Sequence, residues 1–263
     1  MFLDSLIMNK VYVLIGATGG LGKLIASELK KRGHGVVGVG RRKDVLEDMR
    51  NKGILDDYIQ ADITKDEDIY KLVDYIEKIS ENREVAIIYN QGILYDKSKL
   101  EEYDKKEVDQ AFDINIKSII KIDMELIKRN LKVKRIYVVS ISAFYRGEWD
   151  ILYQTTKGAL KAYIEAISAN YKELEIISIF PDTIKSGDEG MGSKLKDFPK
   201  IPGEIFAEVF TDISEGKYKR YIGYIMVIED NSVNLYGLNP DAETGELNYK
   251  NKVFIKKIGQ PVY

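Results

Sequence analysis

Cysteine is absent from the 263 residues. Disulfides, thiolate nucleophiles and thiolate zinc sites are therefore excluded, and the composition is compatible with a reducing compartment. Histidine is nearly absent too. The one copy, His34, lies between Gly33 and Gly35 in a turn, where a structural role is the default. A histidine-based triad and a multi-histidine metal site are ruled out by counting, so no metal is expected. No apolar run is long enough to cross a bilayer, and Met1 to Lys10 lacks a charged start followed by a long apolar core. A non-exported, cytoplasmic protein with no membrane partner is expected. Excess charge is missing as well: 40 Lys and Arg stand against 42 Asp and Glu, for a formal net charge of -2. That balance argues against a nucleic-acid partner and against an acidic disordered tail.

What is present suffices for one large core, since 44% of the residues are hydrophobic and a single α/β domain of this length is ordinary. Val11 to Ile15 is an apolar run that leads directly into Gly16-Ala17-Thr18-Gly19-Gly20-Leu21-Gly22. Lys23 to Arg32 then continues with Leu24, Ile25 and Leu29 at helical spacing, so the glycines join a strand to a helix N-terminus. Glycines let the backbone turn sharply and approach a ligand closely. The free N–H groups and positive dipole of the helix start favour a pyrophosphate.

Apolar runs alternate with amphipathic stretches through about residue 180, which predicts a Rossmann-type doubly wound parallel sheet. The strands expected are Val11 to Ile15, Val36 to Val39, Asp57 to Gln60, Val85 to Tyr89, Arg135 to Ser140 and Glu175 to Phe180. Helices are expected over Asp66 to Ile79, Lys106 to Asn130, Tyr153 to Tyr171 and Pro202 to Gly216, with a closing strand at Tyr221 to Val227. Val233 to Tyr236 and Val253 to Ile255, separated by a turn-rich stretch, predict a β-hairpin, so residues 228–263 read as a small β-rich extension packed on a 1–227 domain.

Polar residues follow each strand, where such a sheet presents its ligand crevice. They are Gly40-Arg41-Arg42, Ala61-Asp62-Ile63, Asn90-Gln91-Gly92 and Ser140-Ile141-Ser142. Asn115 falls within a long helical stretch, and Tyr153 and Lys157 sit four apart at a helix start, on one face. An ammonium about one turn from a phenol favours the phenolate and lowers its pKa.

In this order the residues resemble the short-chain dehydrogenase/reductase family over about residues 10–225. The thirteen-residue spacing from Ser140 to Tyr153 is similar to its classical branch, although Gly16, Gly19 and Gly22 also satisfy the spacing of the extended branch. The resemblance implies catalytic roles for Asn115, which would hold a relay water, Ser140, which would orient a carbonyl, Tyr153 as acid/base, and Lys157 as ribose partner. It implies cofactor contacts for Gly16, Thr18, Gly19, Gly20, Leu21, Gly22, Asp62, Ile63, Asn90, Gly92, Pro181 and Ile184, together with Tyr153 and Lys157. Ser142 competes with Ser140 because side chains two apart on a strand share a face.

Departures from the pattern are Ile15 for the usual Thr, Tyr89 and Gln91 within the Asn-Asn-Ala-Gly segment, and Asp182 for the Gly after Pro181. At the end of strand two an Asp would select NAD; Gly40 followed by Arg41 and Arg42 instead points to NADP(H), because a guanidinium grips a phosphate with paired charged hydrogen bonds. The activity implied is hydride exchange between a nicotinamide and a small carbonyl or alcohol. Two other readings stay open, a silent dinucleotide-binding protein and an epimerase or dehydratase with tightly held NAD. Candidates for the substrate pocket are Tyr95, Tyr145, Arg146, Glu148 and Trp149, and Met191, Leu195 and Phe198 within Gly187 to Lys200 could close over it. Surplus apolar residues on the helix from Val108 to Ile127 suggest a homodimer or homotetramer.

Overall fold

The computed structural model describes residues 10–144, 149–186, 200–218, 223–229, 232–240 and 247–257. Six parallel strands form in turn: β1 (Lys10–Ile15), β2 (Gly35–Gly40), β3 (Asp57–Gln60), β4 (Glu84–Tyr89), β5 (Lys134–Val138) and β6 (Ile176–Pro181). Short β7 (Ile184–Lys185) and β8 (Ile201–Pro202) pair with each other. The chain then adds β9 (Gly223–Glu229), β10 (Ser232–Pro240) and β11 (Leu247–Lys257). The large sheet has the order β11-β10-β9-β6-β5-β4-β1-β2-β3. It is parallel from β3 to β9 and antiparallel across β9, β10 and β11.

Helices cover both faces, which is why the central strands read as apolar runs rather than alternating ones. On one face α1 (Gly20–Lys31) packs against α7 (Gly203–Ser214), with α2 (Lys43–Asn51) beside them. On the other lie α3 (Asp66–Ser80), α4 (Lys105–Phe112), α5 (Ser118–Lys128) and α6 (Ile151–Asn170). Val11, Val13 and Ile15 of β1 point into this second core, whereas Tyr12 and Leu14 point into the first. The strand order reverses between β1 and β4, which opens the crevice at the carboxyl ends of those strands.

Several boundaries differ from the sequence expectation for local reasons. β5 stops at Val138, because Ser140 accepts the Ser142 N–H and starts a 3-10 turn at Ile141–Ala143. The helix expected over Lys106 to Asn130 contains a π-turn, Asp113–Lys117, between α4 and α5. The last helix before β6 starts at Ile151 because the Asp150 side chain caps it. The C-terminal hairpin continues the main sheet, and β9 runs through residues 227 and 228 without a break. Residues 145–148, 187–199, 221, 222 and 241–246 lie outside the described residues, and with them Tyr145, Arg146, Glu148, Met191, Leu195 and Phe198.

His34 has a structural role. Its Nε2 lies 2.8 Å from Glu215 Oε1, and its ring meets Tyr12 edge-on at 5.1 Å. A second polar group is buried under α5: the Asp123 carboxylate accepts from Tyr89 (2.6 Å), Tyr137 (2.6 Å), Tyr163 (2.9 Å) and Arg135 Nε (3.0 Å). Tyr89 and Tyr137 stack at 4.8 Å. Burial pushes both phenols well above their ordinary value.

Candidate functional site

A cleft of about 1080 Å³ runs along the carboxyl ends of β1, β2, β4, β5 and β6. Every expected site residue lines it except Gly22 and Asn115, which stand behind the wall. Gly16 adopts a positive φ of 79°, and a Cβ there would press to 3.0 Å on the Gln91 backbone nitrogen. At Gly22 a Cβ would overlap the Gly16 carbonyl and come within 2.8 Å of that of Ala17. The glycines therefore allow three backbones to touch, and Gly19 caps α1 without a competing side-chain acceptor.

Beyond β2 the two arginines separate. Arg42 Nη2 donates to the Thr18 carbonyl at 2.6 Å and braces the glycine loop. Arg41 is exposed on the cleft margin, and its guanidinium has no partner among the described residues. Asp62 lines the cleft, but its carboxylate accepts both the N–H (3.1 Å) and the hydroxyl (2.7 Å) of Thr64. Asn90 Nδ2 donates to the Gly16 carbonyl at 3.3 Å, while its Oδ1 is buried without a partner among the described residues.

At the other end Ser140 and Tyr153 are hydrogen-bonded through their side chains. Lys157 Nζ lies 5.3 Å from the centre of the Tyr153 ring, and only 2% of this lysine is exposed. A Cβ at Gly92 would be 3.5 Å from Lys157 Nζ, so glycine leaves room for the ammonium. Burial lowers Lys157 from 10.5 to about 8. Tyr153 goes the opposite way from the sequence expectation: burial pushes it up to about 12 against the Ser140 hydrogen bond, and the Asp150 charge adds to the rise. Desolvation of the phenol outweighs a neighbouring ammonium that is itself desolvated.

The π-turn explains the placement of Asn115, which is fully buried. Its Oδ1 accepts the Ile93 N–H at 2.8 Å, and its Nδ2 donates to the Ile93 carbonyl (2.9 Å) and to Thr156 Oγ1 (2.9 Å). This side chain clamps the loop after β4 to α6. Thr156 passes the bond on to the Leu152 carbonyl at 2.8 Å.

Sequence reasoning missed Thr156 and Asp150. Asp150 is fully buried, and its carboxylate accepts the Tyr153 N–H (2.7 Å), the Tyr103 hydroxyl (3.1 Å), the Asp96 N–H (2.8 Å) and the Tyr95 N–H. An Asp three residues before Tyr153 at a helix start was a readable capping signal. Also unforeseen are two orphans in the cleft wall: the Ser142 hydroxyl and both amide atoms of Gln91 are buried without partners among the described residues. Of the pocket candidates, Trp149 lines the cleft with its ring 5.8 Å from that of Tyr153. Tyr95 does not line it; its hydroxyl is 3.1 Å from Gln110 Oε1.

The sequence matches the profile described as short chain dehydrogenase over residues 10–190. An uncharacterized oxidoreductase of Staphylococcus aureus strain MRSA252 is 26% identical over 187 residues, covering 68% of this chain and 80% of the relative. Among solved structures, an alcohol dehydrogenase from the archaeon Thermococcus sibiricus complexed with 5-hydroxy-NADP superposes with a TM-score of 0.69 at 20% identity, over 82% of this chain and 95% of its own. A 3-ketoacyl-(acyl-carrier-protein) reductase from Brucella melitensis complexed with NADH gives 0.67 at 21% identity, over 79% and 91%. At these identities the two structures establish the fold.

Proposed function

Because the chain belongs to the short-chain dehydrogenase family, we propose that this oxidoreductase uses NADP(H) in preference to NAD(H) and acts on a small carbonyl or alcohol, with Tyr153 as acid/base. The observation that carries the reading is the meeting of Ser140, Tyr153 and Lys157 at one end of a cleft whose other end is the glycine loop. The residues present fit a dinucleotide. Gly16 and Gly22 let the loop at the start of α1 fold closely on the Gln91, Gly16 and Ala17 backbones, the tight turn a pyrophosphate site needs, and Asn90 Oδ1 is a buried acceptor with no donor among the described residues, which a ribose hydroxyl would supply.

A bound nicotinamide would supply or accept the hydride. The rest is the work of the chain. In the reducing direction Tyr153 gives its proton to the carbonyl oxygen as charge develops there, and the Ser140 hydroxyl donates a hydrogen bond to the same oxygen. Lys157 holds ribose hydroxyls and, while protonated, favours the phenolate that Tyr153 becomes. Asn115 and Asp150 fix the geometry from behind, one through Thr156 and the other through the Tyr153 N–H. Ser140 is preferred over Ser142 as the orienting serine because it is Ser140 that pairs with Tyr153.

Preference for NADP(H) rests on Arg41. Its guanidinium, unpaired among the described residues, follows β2 in the Gly40-Arg41-Arg42 stretch, which carries no carboxylate of its own to repel a 2′-phosphate. Arg41→Ala should raise the NADPH dissociation constant by about 10–100-fold, the value of a charge-assisted hydrogen bond or two, and leave that of NADH within about twofold. Equal affinity of the unaltered protein for the two cofactors contradicts the preference. Exposed Ile120 and Met124 on α5 support a homo-oligomer through that helix.

A further inference from the structure

The reaction end of the cleft is polar in a one-sided way. Two charged side chains line it among the described residues, Lys157 and Asp182. Lys157 is tucked behind Tyr153 against Gly92 and is almost wholly buried. Among the described residues, the Asp182 carboxylate is therefore the charge left to a ligand at this end. It follows the last residue of β6, whose register with β5 runs as far as Val138 with Ile179, next to the turn that Ser140 starts. The Asp182 N–H is tied to the Met226 carbonyl at 2.8 Å, which fixes the backbone. One carboxylate oxygen accepts the Thr183 N–H at 2.6 Å; the group forms no ion pair among the described residues.

Two neighbours in the same wall point to what would satisfy it. Ser142, in the 3-10 turn two residues beyond Ser140, is 2% exposed, and its hydroxyl has no partner among the described residues. Such an orphan is costly unless a ligand pairs with it. Trp149, tilted over Tyr153, offers an aromatic face. A carboxylate, a hydroxyl able to accept and an indole ring suit a desolvated cation with N–H groups; they repel an anion and give a neutral ligand no charge to pair.

We propose that the substrate is a ketone or alcohol bearing a protonated amine, recognised by Asp182 with Ser142 and Trp149 beside the carbonyl site. The proposal rests on the reading of Ser140 and Tyr153 as the carbonyl site. It makes Asp182 a specificity-determining residue.

The test uses two ketones of nearly the same shape, 1-methyl-4-piperidone, protonated at pH 7, and 4-methylcyclohexanone, which is neutral. With NADPH and the full chain, kcat/KM should favour the piperidone by about tenfold or more, the scale of one charge-assisted contact. Asp182→Asn should abolish that preference, lowering kcat/KM for the piperidone at least about tenfold more than for the neutral ketone. Equal kcat/KM for the two ketones in the unaltered protein overturns the proposal and needs no variant that folds. Equal losses for both ketones in Asp182→Asn, or a change confined to NADP+ against NADPH affinity, also overturn it and assign Asp182 to the nicotinamide. If neither ketone is reduced, the catalytic reading fails, and calorimetry on the NADPH complex decides this inference separately. Binding of 1-methyl-4-piperidone about tenfold tighter than 4-methylcyclohexanone upholds it, and equal binding ends it.

Discussion

The Lys157 ammonium lies 5.3 Å from the centre of the Tyr153 ring, and burial moves the two groups in opposite directions, the lysine down to about 8 and the phenol up to about 12. Both shifts disfavour charge. The pair is therefore held at a cost to the fold, one that the proposed acid/base role would account for.

That cost has a sign that can be measured. Below about pH 8 Lys157 is protonated in the folded and unfolded chain, and burying its charge opposes folding; above its ordinary 10.5 it is neutral in both, and the penalty is gone. Lys157→Met should thus raise the melting temperature at pH 7, by at most on the order of 3 kcal/mol of stability, with the gain vanishing between pH 8 and 10.5. A melting temperature lowered at pH 7 would contradict it.

The same ionisation should appear in the kinetics. The pH profile of kcat/KM for NADPH reports groups of the free protein. It should be level below pH 8 and fall above it as Lys157 loses the proton that attracts an anionic ligand. A profile flat to pH 10 would remove Lys157 from cofactor capture.

Gly22→Ala should cost most of the dinucleotide affinity, because the new methyl group overlaps the Gly16 carbonyl and must displace the loop. We expect at least about a hundredfold rise in the NADPH dissociation constant, read by fluorescence titration. Gly33→Ala is the control for stability alone: its φ is 83°, but no atom lies within 4 Å.

Asp150→Ala should reduce both stability and turnover. Four donors lose their acceptor, among them the N–H of Tyr153. Loss of a buried cap is worth about 2–3 kcal/mol. A displacement of Tyr153 should lower kcat by about tenfold or more. A melting shift with unchanged kcat would make Asp150 structural alone.

Asp123→Ala separates the other buried group from the site. Removing it strands Arg135, whose Nη2 is already buried without a partner among the described residues, beside three phenols. The loss should be about 3–5 kcal/mol, with NADPH affinity unchanged in the protein that remains folded, since none of Asp123, Arg135 and Tyr163 lines the cleft.

Much of the fold was legible because its signals are local. The run into Gly16-Ala17-Thr18-Gly19-Gly20 needs only the strand before it and the helix after it to be read. Tyr153 and Lys157 share a face by helical spacing alone. What was not legible depends on residues brought together from afar. Asp123 meets Tyr89, Tyr137 and Tyr163 across separations of 34, 14 and 40 residues. Asn115 reaches Thr156 across 41, through a π-turn that no periodicity announces. The direction of the Tyr153 shift failed for the same reason: the pair spacing is in the sequence, and the burial that overrides it is not.

The central claim is that Tyr153 moves the proton. It is tested most directly by comparing Tyr153→Phe with the unaltered protein in steady-state NADPH oxidation by a ketone, alongside NADPH binding. The account predicts a loss of kcat of about 10²–10⁴-fold with the NADPH dissociation constant within about threefold. Near-native turnover in the variant would contradict it.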